Sequence, residues 1–151
     1  MKILLWFVLV TLSALTQTSC DETTSRKKLQ IGVKKRVDNC TLRSKRGDTL
    51  VVNYVGTLED GTEFDSSSNY DDSFFITLGY GQVIKGWEQG LIGMCVGEKR
   101  KLVIPPDLAY GSFGALPKIP PNATVIFTVE LVKLVSKEEP RQSDTQFHEE
   151  L

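Results

Sequence analysis

The chain has 151 residues, 40% of them hydrophobic and 25% charged, with a formal net charge of −1. This describes about one soluble domain, and the near-neutral charge argues against bulk nucleic acid as a partner. The single histidine, His148, lies in a charged tail, which argues against triad, Cys-His or multi-histidine zinc chemistry in a packed site.

Residues 3–15 are apolar except for Thr11 and Ser13. The run is too short for a bilayer span of about 20 residues and suits the apolar region of a secretory signal. Small polar residues follow, among which Thr18 and Cys20 fit the −3 and −1 positions without meeting the Ala-x-Ala pattern; residues 1–20 read as a cleaved signal peptide, its cleavage position left open within a few residues, that leaves no membrane anchor. An uncleaved anchor is the alternative. Cleavage removes one lysine and no acid, moving the charge to −2, and leaves Cys40 and Cys95 as the remaining cysteines. Such a pair in an oxidising compartment suggests one disulfide, worth roughly 2–4 kcal/mol. Two buried free thiols are the alternative.

Residues 21–42 read as an extension carrying an edge strand. Within the basic stretch 26–36, Leu29, Ile31 and Val33 alternate. A solvated edge strand, whose lysines oppose aggregation, fits this better than a nucleic-acid patch, because stacking aromatics are missing.

Residues 43–135 form the expected domain. Eleven of the twelve glycines lie between Gly47 and Gly114, and five of the six prolines between Pro105 and Pro121. This punctuation predicts short strands. Residues 49–58 alternate, with Leu50, Val52, Tyr54 and Leu58 on one face and Val51, Asn53, Val55 and Thr57 on the other. Asp60-Gly61 is a tight-turn signal. Phe74, Ile76 and Leu78 alternate in the next strand, and residues 98–104 run from charged to apolar before Pro105-Pro106. Residues 124–135 form the longest strand, with Val125, Phe127, Val129 and Leu131 on one face. Residues 83–93 break the pattern: Ile84, Trp87 and Leu91 share a helical face and Gly93 follows as a stop. Gly86 and Gly90 each cost this helix about 1 kcal/mol relative to alanine, so something is expected to pack close against it. The fold class is α+β, an antiparallel sheet on one short helix with a single core.

Residues 136–151 are a charged tail ending His148-Glu149-Glu150-Leu151. This is one conservative step from the His-Asp-Glu-Leu address read in the endoplasmic reticulum. With the N-terminal signal it implies the lumen of that compartment; the alternative is an acidic tail that happens to end in leucine.

Several segments together resemble the FKBP family, the tacrolimus-binding immunophilins that act as peptidyl-prolyl cis–trans isomerases. They are Val52-Asn53-Tyr54-Val55-Gly56, the run from Leu58-Glu59-Asp60-Gly61 through Phe64-Asp65-Ser66-Ser67, Gly81-Gln82-Val83-Ile84-Lys85-Gly86-Trp87, Gly93-Met94-Cys95-Val96-Gly97-Glu98-Lys99-Arg100, Ile104-Pro105, Ala109-Tyr110-Gly111, Ile119-Pro120-Pro121 and Thr124-Val125-Ile126-Phe127. They fall in family order across nearly all of residues 43–135. The signal, the Cys40/Cys95 pair and the ending look like the family's small lumenal branch. The resemblance implies a five- to six-stranded antiparallel half-barrel around one helix, with a proline pocket between helix and sheet. Carried over by position, its wall is Tyr54, Phe64, Asp65, Phe74, Val83, Ile84, Tyr110, Ile119 and Phe127, with Trp87 as floor. Asp65 is expected to hold Tyr54 or a neighbouring tyrosine by a hydrogen bond.

The expected ligands are proline-containing segments of secretory proteins and the macrolides tacrolimus and rapamycin, with no cofactor and a monomeric state. A module used mainly for recruitment, with incidental turnover, is the first alternative, and an unrelated β-rich secreted module the second. The loop 111–121 departs from the cytosolic archetype at Phe113 and Lys118, which bears on substrate preference and drug affinity. Asn39-Cys40-Thr41 and Asn122-Ala123-Thr124 fit the glycosylation sequon. Asn122 is expected mostly unmodified, and Asn39 is left open. No Asp-x-Asp-x-Asp-Gly loop for calcium occurs.

Overall fold

The computed structural model describes residues 27–70 and 74–137. The expected signal peptide and the His-Glu-Glu-Leu ending lie outside the described residues. Six strands, β1 (Gln30–Lys35), β2 (Thr49–Leu58), β3 (Glu63–Ser66), β4 (Phe74–Thr77), β5 (Lys99–Ile104) and β6 (Val125–Val135), form one antiparallel sheet. Its order is β1-β5-β6-β2-β3. β4 shares an edge of β2 with β3: β3 pairs with Val55–Thr57 and β4 with Thr49–Val52. Among the described residues one α-helix is present, α1 (Lys85–Gly90), between β4 and β5.

Each strand owes its place to its pattern. Leu50, Val52 and Tyr54 of β2 and Val125, Phe127, Val129 and Leu131 of β6 are buried together in the core, as period-two alternation requires when one sheet face is covered. β1 lies at the sheet edge, paired with β5, and all of its residues are exposed. Val51 departs from the expected alternation, being only 5% exposed. Its cross-strand neighbours are Phe75 of β4 and Lys133 of β6, and the β2–β6 register shifts between Val51 and Val52, an irregularity that breaks strict alternation there.

The helix lies close on the sheet because of its glycines. A Cβ on Gly90 would come within 2.8 Å of both Leu102 methyl carbons, and one on Gly86 would overlap Ile104. Leu102 and Ile104 are fully buried on β5, so neither has room to withdraw.

The helix is shorter than residues 83–93. It ends at Gly90, because the carbonyls that would continue it turn to Arg100 of β5. Arg100 Nη1 donates to the carbonyls of Gly90 and Ile92, both at 2.8 Å, and Nη2 donates to that of Gly93 at 2.9 Å. Its Nε donates to Glu98 Oε1 at 2.7 Å. Both side chains are buried, and this partnering is what makes a buried charge tolerable. Glu98 Oε2 accepts the Cys95 N–H at 3.1 Å, next to the Cys40–Cys95 disulfide, whose Cα atoms lie 5.9 Å apart. Asn39 and Asn122, the sequon asparagines, are exposed and adopt left-handed backbone with φ of 56° and 57°.

Replacing Gly86 by alanine improves intrinsic helix propensity by about 1 kcal/mol, yet overpacking of this kind costs about 1–3 kcal/mol. The G86A domain is therefore expected to be net destabilised. The check is a lower urea midpoint at unchanged slope.

Candidate active site

The residues singled out from the sequence converge where α1 meets β2 and β6. Tyr54, in mid-β2, has its ring centroid 5.2 Å from those of both Trp87 and Phe74, crossing them at 80° and 67°. Phe127 of β6 lies 5.1 Å from Trp87 and 5.5 Å from Phe64 of β3, both nearly edge-to-face. Such crossings set the positive edge of one ring on the negative face of another. Trp87 is 3% exposed, and its indole N–H has no hydrogen-bond partner among the described residues. A buried donor left in this state costs about 1–3 kcal/mol. Gly56 in β2 makes room for the rings, since a Cβ there would come within 2.7 Å of Phe127 and 2.8 Å of Phe64.

Val83, Ile84 and Tyr110 are half-buried against this cluster, and Ile119 is buried within it. Ile84 caps the helix; its carbonyl accepts the N–H of Trp87 at 2.9 Å and of Glu88 at 3.2 Å. Its own N–H has no acceptor among the described residues. Glu88 steadies the approach to the helix, accepting the N–H groups of Gly79 at 2.5 Å and Gly81 at 3.0 Å. Ile119 exchanges two main-chain hydrogen bonds with Ala115, of 2.8 and 2.9 Å. That bridge closes a loop whose Phe113 and Leu116 are 87% and 74% exposed.

Asp65 is the charged member. Its Oδ2 accepts the Tyr54 hydroxyl at 2.8 Å, and its Oδ1 accepts the Ser66 N–H at 2.9 Å. The expected tyrosine partner is thus found. A second one, Tyr70, donates to Oδ1 at 3.2 Å. Nothing in the sequence marked Tyr70, which stands in a polar, serine-rich stretch without strand or helix periodicity. Burial is the main cause pushing the Tyr54 hydroxyl above the usual tyrosine range, followed by its hydrogen bond to Asp65. Tyr110 is also raised, by burial first and then by the Asp65 charge. The Tyr110 hydroxyl has no partner among the described residues.

A recess of about 380 Å³ opens beside this cluster, lined by Thr62, Glu63, Phe64, Asp65, Asn69, Pro117 and Lys118. Of the residues named from the sequence, Phe64 and Asp65 line it; the others do not, and pack in or against the core cluster. Among the described residues no group of His, Cys, Asp and Glu side chains is arranged to hold a metal ion.

An open antiparallel sheet closed by one short helix over an aromatic, histidine-free site defines an immunophilin-type fold. Residues 40–132 match the family model described as FKBP-type peptidyl-prolyl cis-trans isomerase. The chain belongs to that family and is a peptidyl-prolyl cis–trans isomerase. It is 58% identical over 130 residues to the bovine protein named peptidyl-prolyl cis-trans isomerase FKBP2, covering 86% of this chain and 91% of the relative. It is 54% identical over 137 residues to the human protein of that name, covering 89% and 96%. With FK506-binding protein 2 of Dictyostelium discoideum it shares 52% identity over 132 residues, covering 87% and 98%.

Because folding raises the Tyr54 pKa, the folded state holds that proton at pH values where the unfolded chain has released it. This contribution is fully present below the unfolded tyrosine pKa of about 10 and is lost as pH rises above it. Stability should therefore fall on the alkaline side of about pH 10. Y54F should show a shallower decline in denaturant titrations run between neutral and alkaline pH.

Proposed function

We propose that the isomerisation takes place at the aromatic cluster, and that its substrates are X–Pro bonds of proteins in the secretory pathway. Rotation about such a bond meets a barrier of about 18–20 kcal/mol, because resonance keeps the amide planar. The twisted transition state has lost that resonance and much of its carbonyl dipole, so an aromatic, water-poor site favours it over the planar form. Binding the twisted form better than the planar one is what lowers the barrier. A thousandfold acceleration corresponds to about 4 kcal/mol.

In this reading Trp87 is the floor, and Tyr54, Phe64, Phe74 and Phe127 enclose the proline ring, with Val83 and Ile119 completing the wall. The Ile84 N–H and the Tyr110 hydroxyl hold the carbonyls on either side of the bond. Asp65 fixes Tyr54. The observation that carries the assignment is the pairing of a closed edge-to-face ring cluster with two donors beside it that no described residue claims. No nucleophile or metal is called on, since no covalent bond is made or broken.

We further infer that tacrolimus and rapamycin occupy the same site. FK506 is tacrolimus, and the name of the Dictyostelium relative states that binding for that protein. The signal-like residues 1–20 and the His-Glu-Glu-Leu ending support residence in the endoplasmic reticulum lumen. There residues 43–135 act as a monomeric isomerase domain between the extension 21–42 and the tail 136–151. The Cys40–Cys95 disulfide suits an oxidising lumen.

Residues 21–151 should accelerate cis–trans exchange in an X–Pro peptide, and tacrolimus should abolish the acceleration. Tyr110→Phe should lower kcat/KM about tenfold, the equivalent of about 1.4 kcal/mol, while the circular dichroism spectrum is unchanged. If that variant matches the parent, the role given to Tyr110 is wrong. Binding of tacrolimus without turnover would favour the recruitment reading. Removing residues 148–151 should shift the full-length chain from cell lysate to medium, read by immunoblot.

A further inference from the structure

Asp65 has one donor more than the site needs. The Tyr54 hydroxyl on Oδ2 and the Ser66 N–H on Oδ1 already partner both oxygens, and the Tyr70 hydroxyl adds a third bond. The Tyr70 side chain is not seated by packing, for the residue is 56% exposed. Its place is set by the hydroxyl bond and by the backbone behind it. That backbone is a single 3₁₀ turn, Ser67–Asn69, which the Tyr70 N–H closes by donating to the Ser67 carbonyl at 3.3 Å. Ser67 in turn hangs the turn on β2: its Oγ accepts the Tyr54 N–H at 3.0 Å and lies 3.3 Å from the Tyr54 carbonyl oxygen. The result is a closed circuit. It runs from the Tyr54 hydroxyl to Asp65, on to Tyr70, back through the turn to Ser67, and into the main chain of Tyr54.

We propose that Tyr70 is a positioning residue for the isomerase site, acting through Asp65. This rests on Asp65 and Tyr54 belonging to that site. With Tyr70 in place, a phenol holds each carboxylate oxygen, which restrains rotation about the Cβ–Cγ bond. Oδ2 then stays directed at Tyr54, whose ring touches Trp87, Phe74 and Phe127. Without the Tyr70 hydroxyl, Oδ1 keeps only the N–H of the adjacent residue, and water competes for its other lone pair. The carboxylate gains freedom and the Tyr54 ring follows it. A ring a few tenths of an ångström out of place meets the planar and the twisted amide less selectively, so the loss appears in kcat rather than in KM.

The test is a double-mutant cycle on X–Pro isomerisation with Tyr70→Phe, Asp65→Ala and the pair. Tyr70→Phe removes one oxygen and should lower kcat about three- to tenfold, with KM within about twofold of the parent and Tm unmoved. In the Asp65→Ala background the same change should have no further effect, because the route through which Tyr70 acts is gone. An unaltered kcat in the single variant, or a loss that persists in the Asp65→Ala background, overturns the proposal. A second readout does not depend on turnover. Carbon-13 relaxation of the labelled Tyr70 ring should show an ordered ring in the parent and a mobile one in Asp65→Ala. A ring already mobile in the parent overturns the proposal while leaving the isomerase reading intact. A parent without turnover would overturn the isomerase assignment instead, and the ring readout would still decide whether Asp65 holds Tyr70.

Discussion

The distance between α1 and β5 governs the rest of the structure. A helix of six residues makes too few internal hydrogen bonds to stand by itself, so it exists because the sheet holds it. It is held by contact along one side, where Gly86 and Gly90 admit Ile104 and Leu102, and by Arg100 at its end. Between those glycines Trp87 projects into the site. Any side chain at either glycine would lift the helix, and the indole would leave the rings of Tyr54 and Phe127 that it now crosses at near right angles. The low helix propensity of this segment is therefore the cost of setting Trp87 against those rings.

Two kinds of chemistry meet there. The aromatic cluster is apolar, closely packed and indifferent to charge. Asp65 beside it carries a negative charge in a half-buried place, which is tolerable because two phenols and a main-chain N–H are directed at its oxygens. Burial, and after it the neighbouring Asp65, pushes the hydroxyls of Tyr54 and Tyr110 above the usual tyrosine range. In the proposed reading, the site offers a proline ring an apolar surround and offers the adjoining carbonyls neutral donors. That is what an amide losing its resonance asks for.

Much of this was legible in the sequence. Period-two runs in β2 and β6 gave their core faces, and the glycines of the helix gave its close packing. The family motifs, more than any periodicity, singled out the residues of the ring cluster; alternating aromatics alone describe an ordinary core equally well. What escaped was polar. Glu98 and Arg100 read as the charged start of a strand, yet both are buried, because their partners are a main-chain N–H and carbonyls of the helix end. Tyr70 sits in a turn with no periodicity, and only the geometry of that turn returns its hydroxyl to Asp65.

The sequence by itself determined five of the six strands, with β3 (Glu63–Ser66) missed, the presence and rough place of one helix, most of the apolar core and the family of the fold. These follow from interactions between near neighbours and from alternation of hydrophobicity, which the order of residues records directly. Only the tertiary structure decided where α1 stops, why Val51 is covered and which donors the Asp65 carboxylate binds. A buried charge or a hydroxyl takes whatever partner the fold brings within about 3 Å, and that partner is chosen by how strands and turns lie in space.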